Sequence, residues 1–211
     1  MVASPRAGLP VPDARPAPGE ERLPRGRVPG EAGIWVFIVG DMLIFGLFFI
    51  VYMAHRAASP ALFARSGATL SGTFGAANTV LLLTGSLCVV QAVHALRRRA
   101  RRLAPVLLGA AMLCGVAFAV DKVFEYRAEL RAGHTPTTND FYTFYFMLTG
   151  LHLVHLCIAV LFLTIALRIS LRPVRAVRAV RDMRTVEVAA SFWHLVDLLW
   201  IVLFPLLYLV R

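Results

Sequence analysis

The sequence has 211 residues, of which 58% are hydrophobic and only 16% are charged, and this balance excludes an ordinary soluble globular domain. Its formal net charge of +10 comes almost entirely from arginines that cluster between apolar runs. Because these arginines are not interleaved with aromatic residues, we expect basic loops on an anionic membrane face and no nucleic-acid partner.

The first 30 residues are rich in Pro, Gly, Ala and Arg and show no apolar periodicity. Such a composition predicts a disordered tail. Its five arginines place it in the cytoplasm by the positive-inside rule. No apolar region follows them before Gly33, so the tail does not resemble a secretory signal peptide. We expect a transmembrane domain over residues 31–211.

Five apolar runs follow the tail, and each is long enough to cross a hydrocarbon core of about 30 Å as an α-helix. The predicted spans are Gly33–Ala54, Phe74–Leu96, Leu103–Tyr126, Phe141–Leu167 and Ser191–Val210. We expect a loop over residues 55–73 and a turn with a helix N-cap over residues 127–140. Pro173 should break the chain before the last span, and Pro205 should kink that span near its end.

The distribution of arginines predicts the topology. Five lie in the tail, five in residues 97–102 and six in residues 168–184, whereas the two alternate loops hold two each. By the positive-inside rule, the three arginine-rich segments are cytoplasmic. The predicted fold class is therefore all-α, an integral membrane bundle of five transmembrane helices with a cytoplasmic N-terminus and a periplasmic C-terminus.

Ionisable side chains interrupt the first and third of these apolar runs. Asp41 lies within the first span, and the third span ends with Asp121, Lys122 and Glu125. Lys122 and Glu125 are three residues apart, which places them within reach of each other on a helix. A charge at the centre of a membrane helix costs about 2.5–3.5 kcal/mol, so these side chains should face other helices or a partner.

The last two spans carry paired polar residues. His152 and His155 lie in the fourth span, and the fifth places His194 and Asp197 on one helix face. Two interpretations stay open for all these intramembrane groups. They could form interhelical hydrogen bonds that fix packing, or a buried polar network that handles protons, binds lipid headgroups or contacts a partner subunit.

A metal or haem site in this chain has little support in the sequence. A di-iron bundle uses Glu-x-x-His motifs, and none occurs here. His94 abuts the arginine run at a helix end, while His152 lies in mid-helix, which does not favour two haem ligands at one depth. The three cysteines form no CxxC pair, and no nucleophile motif is present.

Five short motifs, in order, resemble the family of haem-copper oxidase subunit III. They are FIVGDMLIFG (37–46), NTVLLL (78–83), EY (125–126), FYFMLTGLHLVHLCIAV (144–160) and EVAASFWHLVDLLW (187–200). The matches are distributed over residues 33–211, which is all of the chain except the tail. Five spans resemble the short bacterial form of the family, which lacks the first two of seven helices. Asp41 replaces the usual glutamate, and Lys122 stands where many members have Gln.

The resemblance implies an accessory subunit of a bacterial inner-membrane oxidase with no redox centre or catalytic residue of its own. Haem and copper would reside in the catalytic subunit I beside it, with other oxidase subunits and membrane lipids as further partners. The family binds phospholipid in a cleft and sustains proton uptake and turnover stability. We expect Asp41 and Glu125 to be buried carboxylates, and His194 and Asp197 to be a hydrogen-bonded packing pair. The positions matching family motifs, expected to form a proton-handling or buried polar network, are Asp41, Glu125, His152, His155, Glu187, His194 and Asp197.

Two alternatives remain from the sequence. The Lys-x-x-Glu-Tyr ending of the third span is similar to a branch of the family found beside nitric oxide reductases, so the partner could be such a reductase in denitrification. A stand-alone membrane carrier or small haem protein is the other alternative. An internal repeat or broken helices would favour the carrier, and the sequence shows neither.

Overall fold

A computed structural model of the chain describes residues 32–98, 100, 102–171 and 179–209, and these residues are almost entirely helical. The helices are α1 (Ala32–Ala58), α2 (Pro60–Gly67), α3 (Gly72–Arg97), α4 (Leu103–Arg131), α5 (Asp140–Ser170) and α6 (Ala179–Phe204), followed by a π-helical turn (Pro205–Leu209). The predicted disordered tail and the predicted break at Pro173 lie outside the described residues.

Five of these helices are long and apolar enough to cross a membrane, which confirms the predicted all-α class and the number of spans. The helices run past the predicted ends of the apolar runs. α4 continues to Arg131, five residues beyond the predicted end, and α6 begins at Ala179 instead of Ser191. Hydropathy locates the part of a helix that crosses the hydrocarbon core, but it does not locate the polar turns that continue outside it.

The predicted loop between the first two spans contains the short helix α2, which the sequence analysis missed. Pro60 occupies its first turn, where a proline costs no hydrogen bond. The segment has only eight residues, and Phe63 is its one large buried side chain, in edge-to-face contact with Tyr52 and Phe141. A single buried aromatic gives no helical periodicity to detect, so the pattern resembled a loop.

The predicted N-cap before the fourth span is confirmed, and the structure shows a change of winding at Pro205. The side chain of Asn139 accepts a hydrogen bond from the backbone N–H of Tyr142 at 3.1 Å and so caps the first turn of α5. At Pro205 the chain changes from α to π winding, because proline has no N–H to donate to the preceding turn. The π-helical turn carries Tyr208 back into the core, where it is 2% exposed.

α6 lies at the centre of the bundle. It packs against α5, α3 and α1, and it is the most buried of the five spans, whereas α1 is the least buried. α1 nevertheless has two distinct faces. Asp41, Phe45 and Tyr52 are buried on one of them. The opposite face exposes large apolar side chains, Val36, Leu43, Leu47 and Ile50, as expected for a surface in contact with lipid or another subunit.

Close packing of α3, α4 and α6 depends on a glycine. A Cβ atom added to Gly85 of α3 would lie 2.8 Å from Cζ2 of Trp193 on α6 and 3.3 Å from Cβ of Cys114 on α4. Trp193 is 1% exposed and its ring is rigid, so it cannot move aside. Small residues at such contacts let membrane helices approach closely.

We expect Gly85→Ala to destabilise the bundle by about 1–3 kcal/mol, because the added methyl group forces Trp193 out of its position. Gly109→Ala on α4 is the matched control, since a Cβ atom there meets nothing within 4 Å. The measurement is the free energy of unfolding in detergent for both variants. Equal stability of the two would show that the contact at Gly85 does not restrict packing.

Candidate functional site

The seven polar positions singled out from the sequence lie at several separate interhelical contacts. Asp41 and His155 meet each other, while Glu125, Glu187 and His194 each bond to a residue outside the set. His152 and Asp197 are buried. Both ring nitrogens of His152 and one carboxylate oxygen of Asp197, Oδ1, have no hydrogen-bond partner among the described residues. Each contact therefore has its own chemistry.

The contact between α1 and α5 joins Asp41 to His155. Nδ1 of His155 lies 2.8 Å from the carbonyl oxygen of Leu151, which can only accept, so Nδ1 donates. Nε2 lies 3.0 Å from Oδ1 of Asp41. One further proton is therefore held between these two atoms, either on the imidazole or on the carboxyl group. The other carboxylate oxygen, Oδ2, is buried without a hydrogen-bond partner in the described part of the chain.

A closed ring of hydrogen bonds joins α4 to the π-helical turn. Nζ of Lys122 donates to Oε2 of Glu125 at 2.7 Å and to the hydroxyl oxygen of Tyr208 at 2.5 Å. The Tyr208 hydroxyl donates to Oε1 of Glu125 at 2.5 Å. The side chains of Lys122 and Glu125 are 1% and 4% exposed, so the predicted ion pair is confirmed and fully desolvated.

Aromatic rings surround the Lys122 ammonium group on its remaining sides. Its Nζ lies 4.8 Å from the ring centroid of Trp200, 5.0 Å from that of Tyr208 and 5.6 Å from that of Tyr145. Cation–π attraction strengthens when the cation is desolvated, as it is here. The sequence analysis missed Tyr208, which belongs to no motif, and Tyr145, which lies in the 144–160 motif but was not singled out there. An aromatic residue in an apolar span carries no distinguishing signal.

The Asn78–Thr79 motif links α3 to two other helices. Nδ2 of Asn78 donates to Oδ2 of Asp121 on α4 at 2.6 Å. Nε1 of Trp200 on α6 donates to Oγ1 of Thr79 at 3.1 Å, and Thr79 in turn donates to the carbonyl oxygen of Gly75. These small polar groups therefore fix the packing of α3 on both neighbours.

The predicted hydrogen bond between His194 and Asp197 is wrong. Nδ1 of His194 instead lies 2.6 Å from Oγ of Ser86 on α3. Asp197 is 6% exposed, interacts with the Ser86 hydroxyl by hydrogen bonding and with His194 electrostatically, and its Oδ1 has no hydrogen-bond partner among the residues described. Spacing along one helix places the two side chains on the same face, but it cannot reveal a nearer hydroxyl on the opposing helix.

His152 and His155 do not converge on one ligand. His152 is 0% exposed and packs edge-on against Phe118 and beside Trp200, at centroid distances of 5.4 and 5.3 Å. His155 faces α1 instead. In the part of the chain that the structure describes, no group of three or more His, Cys, Asp or Glu side chains could hold a metal ion.

Glu187 lies at the end of the bundle, apart from the other polar positions. Its Oε1 accepts a hydrogen bond from Nη2 of Arg97 at 2.9 Å, and the Arg97 side chain is 54% exposed. An ion pair of this exposure contributes at most about 1 kcal/mol. Its position ties the last turn of α3 to the first turns of α6.

Comparison with known proteins covers the whole described bundle. A family model described as "Cytochrome c oxidase subunit III" matches residues 29–210. Cytochrome c oxidase subunit 3 of Bacillus sp. (strain PS3) is 27% identical over 182 residues, which cover 84% of this chain and 84% of that protein. The Synechocystis subunit of the same name is 29% identical over 177 residues, 84% of this chain and 74% of its own.

A quinol-oxidising relative is similar to the same extent. Cytochrome bo(3) ubiquinol oxidase subunit 3 of Pseudomonas aeruginosa is 26% identical over 182 residues, which cover 84% of this chain and 83% of that protein. The similarity therefore extends to relatives named for two different electron donors.

We expect Lys122→Met and Glu125→Gln each to destabilise the bundle by about 3–5 kcal/mol, because each leaves its buried partner unpaired. The double variant should lose about 2 kcal/mol less than the sum of the single losses, measured by unfolding in detergent. Arg97→Met and Glu187→Gln form the matched exposed pair, for which the coupling energy should stay below about 1 kcal/mol. Additive losses at Lys122 and Glu125 would contradict the closed ring.

Proposed function

The chain belongs to the cytochrome c oxidase subunit III family, and we propose a role in such a subunit for each of its buried polar contacts. It is an accessory subunit III of a haem-copper oxidase in respiration. It is also a multi-pass protein of a bacterial plasma membrane. Its relatives are named as subunits of oxidases, so this chain forms a complex with a catalytic subunit I.

In this proposal haem and copper belong to the catalytic subunit, and this chain supplies proton handling, lipid contacts and stability. The proposal is supported by the ligand chemistry, since the described residues offer no cluster of three metal-binding side chains. It is also supported by α1, whose large outward-facing apolar side chains provide a surface for phospholipid or the catalytic subunit.

The observation that carries the proton-handling part is the 3.0 Å contact between Nε2 of His155 and Oδ1 of Asp41, which requires one shared proton. Because Nδ1 of His155 already donates to Leu151, a proton that enters or leaves this contact must do so at Nε2 or at the carboxyl group of Asp41. Asp41 is buried, at 8% exposure, on α1, the least buried of the five spans, and His155 on α5 is part-buried, at 12% exposure. Asp41 therefore serves as the proton-exchanging carboxyl group near the catalytic subunit.

The other contacts have structural roles in this proposal. Both oxygens of Glu125 accept hydrogen bonds from Lys122 and Tyr208, so Glu125 is committed to holding the π-helical turn. His194 and Asp197 align α6 with α3, and Glu187 closes the end of the same interface. His152 belongs to the core between α4, α5 and α6.

A pull-down of the tagged chain in gentle detergent tests the assignment to an oxidase. We expect haem absorption in the visible spectrum, a copper-ligating catalytic subunit in the mass spectrum, and retained phospholipid. A colourless, solitary chain would contradict the assignment.

The same experiment separates a second candidate function, that of an accessory protein of a nitric oxide reductase. The buried Lys122–Glu125 pair favours this candidate, because it realises the Lys-x-x-Glu-Tyr pattern similar to the reductase-associated branch. Recovery of a nitric oxide reductase catalytic subunit would show that the chain has the same fold but functions in denitrification.

We expect Asp41→Asn to slow turnover of the assembled oxidase several-fold while leaving assembly intact. The amide can still donate to Nε2 of His155, so the helix contact survives, but it cannot exchange a proton. Turnover is measured as oxygen consumption by the purified complex.

Asp140→Asn is the matched control, since Oδ2 of Asp140 pairs with Nδ1 of His55 at 3.3 Å and also joins α1 to α5, but in an exposed position. This variant should turn over at the normal rate. Normal turnover of the Asp41→Asn variant at several pH values would show that Asp41 contributes only to packing.

A further inference from the structure

Among the buried polar side chains of the described residues, His152 has the most hydrogen-bonding atoms without a partner. It is 0% exposed, and neither Nδ1 nor Nε2 has a hydrogen-bond partner among the described residues. A neutral imidazole has one N–H to donate and one nitrogen that accepts, so both requirements are open. A buried polar group with no partner costs about 1–3 kcal/mol, and such groups in folded proteins are nearly always satisfied by protein or by ordered water.

Further open hydrogen-bonding atoms lie in the same part of the core. The ring of Trp200 contacts His152 on one helix and the Lys122 ammonium group on another. The ring of Tyr145 also faces this ammonium group, and its buried hydroxyl lies close to Tyr208 and Glu125 without a well-formed hydrogen bond among the described residues. Oδ1 of Asn78, whose amide nitrogen bonds to Asp121, is also buried and unpartnered within the described residues.

This concentration differs from the other open atoms in the described chain. Those belong to isolated side chains at other contacts, namely Asp41, Arg56, Trp193 and Asp197. A buried water needs two to four polar partners, so a lone open atom does not create a water site. Two ring nitrogens with an amide oxygen and a hydroxyl around one aromatic core do meet this requirement.

We propose that the core between α3, α4, α5 and α6 is an internal water-binding site, with ordered water molecules at the ring nitrogens of His152. These waters link the imidazole to the polar atoms of Asn78 and Tyr145. The site explains why a histidine occupies a position enclosed by Phe118 and Trp200, where an apolar residue would otherwise pack better. It goes beyond the proton exchange assigned to Asp41, which bonds to a different side chain of α5, His155.

A high-resolution cryo-EM map of the purified complex tests the site directly. We expect density peaks within about 3.2 Å of Nδ1 or Nε2 of His152, at hydrogen-bonding angles. A well-resolved imidazole ring with no peak beside either nitrogen would overturn the proposal. The map needs no variant, and it is independent of turnover, so failure of this proposal and failure of the proton-handling role of Asp41 are distinguishable.

Two substitutions give a second test with opposite expected signs. If the core is hydrated, His152→Phe displaces the water and leaves Asn78 and Tyr145 unsatisfied, so the Tm of the complex falls by about 4 °C or more. His152→Gln is the matched polar control, because it keeps a donor and an acceptor, and it should retain a Tm closer to that of the wild type. If the core is dry, His152→Phe removes an unsatisfied group and raises the Tm, which would overturn the proposal.

Discussion

The structure depends on one constraint: an ionisable side chain inside an apolar span must find its hydrogen-bond partner on a neighbouring element. Lys122, Glu125 and Tyr208 meet this constraint most completely, because every bond among them closes onto another member of the group. The ring of Trp200 covers the ammonium group from α6. Without these partners a buried charge would destabilise the bundle, so this contact fixes where the π-helical turn packs against α4.

The same constraint sets the register between α3 and α6. Three hydrogen bonds join the two antiparallel helices at successive levels: Arg97 to Glu187, Ser86 to His194, and Thr79 to Trp200. Shifting one helix by a turn, about 5.4 Å, would break all three at once. Apolar packing alone would not impose this precision, since lipid-facing and helix-facing apolar side chains are nearly equivalent in a membrane. The polar bonds therefore specify the register, and the glycine at position 85 lets the backbones approach.

The sequence was sufficient to predict the spans, the helix class and the burial of Asp41 and Glu125, whereas His155, Glu187 and His194 of the expected network are only half-buried. It was not sufficient to predict their partners, because a motif gives the position of a residue along one helix but not the helix that faces it. His194 illustrates this limit, since its bond goes to Ser86 of α3 and not to Asp197 on its own helix. Tyr208 illustrates another, because the π-helical turn that brings it to Lys122 has no sequence signal beyond Pro205.

The two buried carboxylates differ in how completely the protein satisfies them, and this difference separates a structural role from a functional one. Glu125 has a donor on each oxygen, so a change in its protonation would break a closed ring. Asp41 has one oxygen facing Nε2 of His155 and the other without a partner in the described chain, and in the proposed role the proton of the Asp41–His155 bond is the one that exchanges. Moving that proton from one atom to the other breaks no bond. In the proposed role, a carboxyl group of this kind on α1, the least buried of the five spans, exchanges a proton without breaking the contacts of the core.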